Sequence, residues 1–377
     1  MSYKGVRPRL RWGALAAGVA MLVMAPASPA TAARLPVGNV QKAMDGLART
    51  PGVVGAIGGV YVDGRPAGAG TAGSRLLNGE GGTIPADSRF AIGSQTKAMV
   101  ATALLQLVEE GRVGLDDKLA ALLPEVAGGL VERADEITVR QLIQHTSGIP
   151  DFWSKDGSSE PSFDVFDFTT YYRPIDVVAT TRGRPRTGEP GETFAYSNTN
   201  YTLLGMIIER VTGRTLAAEL DRRLFRPLGM TRSYALTRPP DGIKGPHGHG
   251  YYPDSTGTLR DMDHANASWG FGAGNVVSTT HDVSAFQRAL DQGRLLPPSL
   301  QAVLTGGAAG GKVRQRADGC VDDLYLQGGS GIGYTTLMLY TGDGRRQFEI
   351  SVTRSVDDAT VIPEMAKAGQ AVLCPTN

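Results

Sequence analysis

Cysteine is nearly absent: Cys320 and Cys374 are the only two in 377 residues. They form no Cys-x-x-Cys pair and no zinc-type spacing, which excludes a zinc ribbon and a dithiol redox centre. An excess of either charge is also missing. Lys and Arg number 38 against 37 Asp and Glu, so there is no basic surplus to track nucleic acid. No G-x-S-x-G elbow occurs. Residues 306–312 spell GxxxxGK, but Val313 stands where a P-loop needs Ser or Thr. His247-Gly248-His249 lies in a Pro/Gly loop without partner ligands in view, and His145, His264 and His281 fit no triad pattern. No metal and no cofactor is therefore expected.

The one long apolar run, residues 12–24, is short for a bilayer span. Lys4, Arg7, Arg9 and Arg11 precede it and Pro29-Ala30-Thr31-Ala32 follows, the pattern of a secretory signal peptide. An uncleaved anchor is the other reading. Removal of residues 1–32 predicts a secreted protein, free or associated with the cell wall, without a stable membrane span. Export to an oxidising compartment favours pairing of Cys320 with Cys374 over two buried thiols.

With 41% hydrophobic residues the chain has ample material for a large core. Residues 33–50 read as a leading helix, and 52–63 as a Val/Ile-rich strand closed by Asp63-Gly64, with a second strand after it. In GSQTKAMVATALLQLVEEG (93–111) apolar residues recur at helical spacing around most of the circumference, which predicts a central buried helix. Residues 115–300 read mainly as helices and loops, among them helices over 138–145 and 198–211. Strands return at 333–340 and 347–354, and 359–373 closes the chain as a helix. This order predicts an α+β fold: an antiparallel sheet built from both termini, flanked by helices, with an inserted all-α lobe. Residues 33–115 and 300–377 form the sheet lobe, 116–299 the helical lobe, and the site lies between them.

Three segments carry chemistry. Ser94-Gln95-Thr96-Lys97 places a hydroxyl and an amine three residues apart, on one face of a helix start. Serine needs a neighbouring base to become a nucleophile, and a helix N-terminus favours developing negative charge. Tyr196-Ser197-Asn198 follows at a loop-to-helix junction. There Tyr196 is a proton carrier and Asn198 a substrate or lysine anchor; the plainer reading packs Tyr196 in the core and makes Asn198 a helix cap. Gln327-Gly328-Gly329-Ser330-Gly331 enters a late strand, where glycines admit close backbone approach and the N–H groups of Ser94 and Ser330 form an oxyanion hole.

These motifs, in this order, resemble those of the penicillin-recognising serine hydrolases (serine beta-lactamase-like), and most of all the secreted D-alanyl-D-alanine carboxypeptidases of actinomycetes. RFAIGSQTKAMVATALLQLVEEGRVGLDD, ITVRQLIQHTSGIPDF, FAYSNTNYTLLGMIIERVTG and SWGFGAGNVVSTTHDV carry the resemblance further. It implies the beta-lactamase/transpeptidase-like fold and acylation of Ser94 by a peptidoglycan stem peptide or other small acyl substrate. Lys97 is then the base, Tyr196 the proton carrier and Asn198 a substrate anchor. Trp269, Gln327, Gly329 and Ser330 line the substrate site, Arg314 binds a terminal carboxylate, and beta-lactams act as inhibitors. It also implies a Cys320–Cys374 disulfide. Gln327 stands where the family carries His or Lys, which shifts carboxylate binding toward Arg314. That departure motivates an alternative, an esterase or beta-lactamase on the same nucleophile. A non-catalytic module that binds cell-wall peptide or beta-lactam is the reading from another class.

Overall fold

The computed structural model describes residues 36–153, 161–305, 313–315, 324–356 and 360–375. The chain opens with α1 (Val40–Leu47), β1 (Val53–Val62), β2 (Arg65–Gly73), β3 (Phe90–Ala91) and α2 (Thr96–Glu109). It continues through α3 (Leu119–Leu122), α4 (Val139–Ile143), α5 (Pro174–Ala179), α6 (Asn198–Thr212), α7 (Leu216–Leu220), β4 (Tyr234–Ala235), β5 (Tyr251–Pro253), β6 (Leu259–Asp261), β7 (Val276–Ser278), α8 (Thr280–Asp291) and α9 (Pro298–Thr305). It ends with β8 (Val313–Gln315), β9 (Leu324–Gly331), β10 (Tyr334–Thr341), β11 (Arg346–Arg354) and α10 (Val361–Leu373).

The main sheet runs β2-β1-β11-β10-β9-β8, every neighbour antiparallel. The two ends of the chain meet at the β1–β11 pair, so the sheet is assembled from both termini, as the sequence pattern predicts. β10 and β11 are buried along their whole length, because α1 and α10 pack on the sheet and α8 also packs against β11 and β1. One hydrophobic core lies between the sheet and the two terminal helices and includes Met44, Leu339, Phe348 and Met365. A second core surrounds α2, where Met99, Leu104, Leu105 and Leu107 are all fully buried beside Tyr201, Leu204 and Ile208 of α6. Each such side chain contributes roughly 1.5–3 kcal/mol of transfer free energy, and this anchors the helix that carries the Ser-x-x-Lys pair.

The middle of the chain is not all-α. β3, β7 and β4 form a small sheet, and β5 pairs with β6 as a hairpin. These strands are two or three residues long, too short for period-2 alternation to register in the sequence. Among the described residues no helix is long and apolar enough to cross a membrane. The expected signal peptide lies outside the described residues.

Candidate active site

Ser94 sits in the single 3-10 turn Gly93–Gln95 that feeds α2. Two glycines bring strand β9 against this turn. Gly93 has φ +52°, and a Cβ there would lie 2.7 Å from the backbone N and O of Ser330. A Cβ on Gly329 would lie 2.0 Å from the carbonyl of Ile92. No larger residue fits either position without moving backbone. The buried side chain of Gln95 fastens the same contact, its Nε2 donating to the Gln327 carbonyl (3.2 Å) and to both carboxyl oxygens of Glu349 (3.1 and 3.2 Å). Glu349 is fully buried, and burial pushes its carboxyl well above the usual range, toward the neutral acid.

Lys97 is 2% exposed. Its Nζ has three polar neighbours: Asn198 Oδ1 at 2.7 Å, the Ala273 carbonyl at 2.8 Å and Ser94 Oγ at 3.1 Å. Two of these can only accept, so they take two N–H bonds whatever the charge of the amine. The third direction faces the nucleophile. A neutral amine held this way would point its lone pair at the Ser94 hydroxyl. Ser94 Oγ also lies 2.8 Å from Tyr196 Oη, so the hydroxyl is held between an amine and a phenol.

The plainer readings of Tyr196 and Asn198 do not hold. Tyr196 is 44% exposed and opens on the cleft. Ser197 occupies the N-cap of α6 and Asn198 is its first helical residue. Asn198 bridges Lys97 to Asp151, its Nδ2 donating to Asp151 Oδ2 (2.9 Å) and its backbone N–H to Asp151 Oδ1 (3.0 Å). A carboxylate only accepts, so Asp151 fixes which way the Asn198 amide points and thereby aims Oδ1 at Lys97. Burial raises the Asp151 carboxyl pKa, against hydrogen bonds from Trp153 and Asn198 and the charge of Lys97, which lower it.

Sequence reasoning missed Asp151, and it missed the part played by His145. The signal for Asp151 was a lone acid inside the apolar stretch Ile149 to Trp153. His145 is fully buried, and its ring stacks on that of Tyr196 with centroids 4.6 Å apart at 26°. Its Nδ1 accepts the Ser197 N–H at 3.1 Å. Burial, with a smaller effect from Lys97, lowers its pKa to about 3, so the imidazole is neutral, and it contacts the Tyr196 ring and the Ser197 N–H while the Ser94 hydroxyl contacts Lys97 and Tyr196. The role of His145 is to hold the tyrosine ring.

Ser94, Tyr196, Asn198, Asp151 and Ser330 open on a cleft of about 420 Å³, within the range of small-ligand sites. Trp269 lines it and stacks on Phe163 (4.1 Å, 12°) beside Phe152 and Tyr172. Gln327 and Gly329 do not line the cleft. Gln327 is buried, its carbonyl held by Gln95, and Gly329 is covered by the Ile92 carbonyl. Arg314 falls on β8 opposite Tyr325; its side chain lies outside the described residues, as do Cys320 and residues 306–312. Cys374 ends α10 in the smaller core.

A family model described as Beta-lactamase matches residues 39–360. Penicillin-binding protein 4 of Amycolatopsis lactamdurans is 30% identical over 311 residues, covering 81% of this chain and 76% of that protein. Protein flp of Staphylococcus aureus is 34% identical over 147 residues, 39% of this chain, and the match spans 28% of flp's own length. Among solved structures, a D-stereospecific amidohydrolase from Streptomyces sp. superposes with a TM-score of 0.74 at 29% identity, over 90% of this chain and 98% of that one. The D-amino acid amidase of Ochrobactrum anthropi SV3 shares the fold, with a TM-score of 0.68 at 24% identity over 88% and 97% of the two chains. Extent of match and shared architecture agree with the Ser-Lys-Tyr geometry: the chain belongs to the beta-lactamase family and is a serine hydrolase of the beta-lactamase and penicillin-binding protein type.

Proposed function

We propose that this protein hydrolyses amide bonds next to a D-amino acid through an acyl-enzyme on Ser94. The observation that carries the reading is the placement of Ser94 Oγ between Lys97 Nζ and Tyr196 Oη. Lys97 takes the Ser94 proton as Oγ bonds to the substrate carbonyl carbon. Backbone N–H groups of Ser94 and Ser330 face the resulting oxyanion. Tyr196 delivers its proton to the departing amine as the C–N bond breaks and regains one from the Lys97 ammonium, so both groups return to their starting state. Water then bonds to the acyl carbon while giving a proton to Lys97, and the bond from that carbon to Ser94 Oγ breaks as Oγ takes a proton back, which releases the acid.

The likeness to a penicillin-binding protein and a D-stereospecific amidohydrolase supports D-configured substrates. Within that class, the sequence resemblance favours D-alanyl-D-alanine carboxypeptidase action on a peptidoglycan stem peptide outside the cell. The aromatic cleft wall of Phe152, Phe163 and Trp269 favours the same chemistry on short amides with a bulkier apolar D-residue. The test compares release of D-alanine from a diacetyl-L-lysyl-D-alanyl-D-alanine peptide with hydrolysis of D- and L-phenylalanine amides. Turnover of a D-substrate, absent in Ser94→Ala, supports the proposal. Equal rates on both enantiomers would remove the D-selectivity and leave an unselective amidase, and turnover of a p-nitrophenyl ester alone would replace the proposal with an esterase.

A further inference from the structure

The β5–β6 hairpin beside the cleft assembles a group that no step above uses. Its register pairs Tyr251 with Asp261 and Pro253 with Leu259, and Met262 N–H continues the ladder to the Gly250 carbonyl at 2.9 Å. Residues just before β5 therefore lie beside residues just after β6. Side chains two apart share one side of an extended chain, so His247 and His249 meet Asp261 and Asp263. His247 Nε2 is 2.5 Å from Asp263 Oδ1, and His249 Nδ1 is 2.7 Å from Asp261 Oδ2. The two rings stack at 5.0 Å and 16°. One ligand atom each of His247, His249 and Asp263 lies within 4.8 Å of the other two.

The outer partners of the histidines matter most. His247 Nδ1 is 2.6 Å from the Gly245 carbonyl and Nε2 faces the Asp263 carboxylate, and both of these partners only accept, so without a metal both ring nitrogens carry protons and donate. A cation between Nε2 and Asp263 would take the place of the Nε2 proton. His249 has its Nδ1 on the Asp261 carboxylate, which leaves Nε2 as the second nitrogen able to ligate. A carbonyl on one imidazole and a carboxylate on the other is the outer-shell arrangement that orients metal-binding histidines. The backbone is pinned as well. Arg75 Nε donates to the His247 carbonyl at 3.1 Å, and His249 N–H donates to the Arg75 carbonyl at 2.8 Å. A Cβ on Gly250 would come within 2.3 Å of the Gly333 carbonyl. Asp263 itself lines the cleft that holds Ser94.

We infer that His247, His249 and Asp263 form a divalent transition-metal site, with zinc the best match to two imidazoles and one carboxylate, and with a coordination position left open. Tetrahedral zinc places ligand atoms about 3.3 Å apart, so binding parts His247 Nε2 from Asp263 Oδ1, now 2.5 Å away, and brings His249 into the same spacing. Asp261 is a positioning residue, holding the His249 ring. The site is independent of the reaction assigned to Ser94.

The test uses the full chain, stripped with chelator and titrated with zinc chloride by calorimetry, with metal content measured after dialysis and folding checked by circular dichroism. The expected result is one equivalent per chain. Affinity falls at least about 100-fold in His249→Ala and Asp263→Asn and about 10-fold in Asp261→Asn, while His281→Ala, outside the group, binds as wild type. Cobalt in place of zinc gives visible d–d absorption that Asp263→Asn loses. Because His247 is buried and its variants are prone to misfold, the partly exposed His249 carries the test. Substoichiometric binding by the folded wild-type chain, or unchanged affinity in folded His249→Ala/Asp263→Asn, would overturn the inference and leave a buried His–Asp pair.

Discussion

Replacing Asp151 by asparagine changes one oxygen to an NH2 and almost no volume, yet it should reverse the amide that faces the catalytic lysine. In the wild type, Asp151 Oδ1 accepts from the backbone N–H groups of Asn198 and Trp153 at 3.0 and 3.2 Å, and Oδ2 accepts from Asn198 Nδ2 at 2.9 Å. An asparagine at 151 keeps its oxygen on the two backbone donors. Its NH2 then confronts the NH2 of Asn198, and the cheapest relief is rotation of the Asn198 amide. That rotation points Nδ2 at Lys97 Nζ, where Oδ1 had stood at 2.7 Å. The lysine loses a hydrogen bond to an amide oxygen, and a donor meets a donor. Leaving a buried donor unsatisfied costs about 1–3 kcal/mol, which corresponds to roughly 5–150-fold in rate. The assay is kcat/KM on p-nitrophenyl acetate, with the thermal midpoint followed in parallel. Asp151→Asn should lose activity by that factor with little loss of stability. Asp151→Ala should lose both, because three N–H groups are left without their acceptor. Activity of Asp151→Asn within about threefold of wild type, while Asn198→Ala falls more than tenfold, would refute the orienting role.

Further outcomes follow from the same geometry. Tyr196→Phe should lower kcat/KM by about 10²–10⁴-fold and leave the thermal midpoint nearly unchanged, since the hydroxyl is bonded to Ser94 on the cleft side; a loss under threefold would remove Tyr196 from proton transfer. His145 titrates near 6.5 when unfolded and at about 3 when folded, so the unfolded chain binds the extra proton and stability falls as pH drops below about 6.5. The slope from this group is about 1.4 kcal/mol per pH unit, and His145→Asn, which keeps an acceptor for the Ser197 N–H, should flatten the pH dependence of denaturant midpoints. An identical profile in that variant would assign the slope elsewhere. Gly329→Ala drives a methyl into the Ile92 carbonyl and should cost about 1–3 kcal/mol together with slower acylation of Ser94; a neutral result would mean that β9 does not set the position of the nucleophile turn.

What the sequence disclosed was local in character. Ser94 and Lys97 declare themselves because three residues on a helix start are geometry enough, and the apolar circumference of α2 announces its burial. The leading helix shows helical spacing, whereas the late strands alternate only weakly because β10 and β11 are buried along their whole length. Tyr196 and Asn198 were legible only as chemistry-bearing types in an order, because their contacts to Ser94 and Lys97 cross about a hundred residues. Asp151 and His145 act through loop-to-helix contacts that no periodicity encodes. His247 and His249 looked partnerless since Asp261 and Asp263 reach them only through the register of a hairpin with three-residue strands. Gln327 looked like a substrate contact because its position in the motif was visible, whereas the face of β9 it occupies was not.

Whether Ser94 becomes acylated is read from the intact mass of the protein after incubation with benzylpenicillin. The prediction is a covalent adduct of one drug mass on the wild-type chain, mapped to the peptide holding Ser94 and absent from Ser94→Ala. An adduct that persists in Ser94→Ala, or a wild-type chain that neither forms an adduct nor hydrolyses the drug or an activated ester, would contradict it.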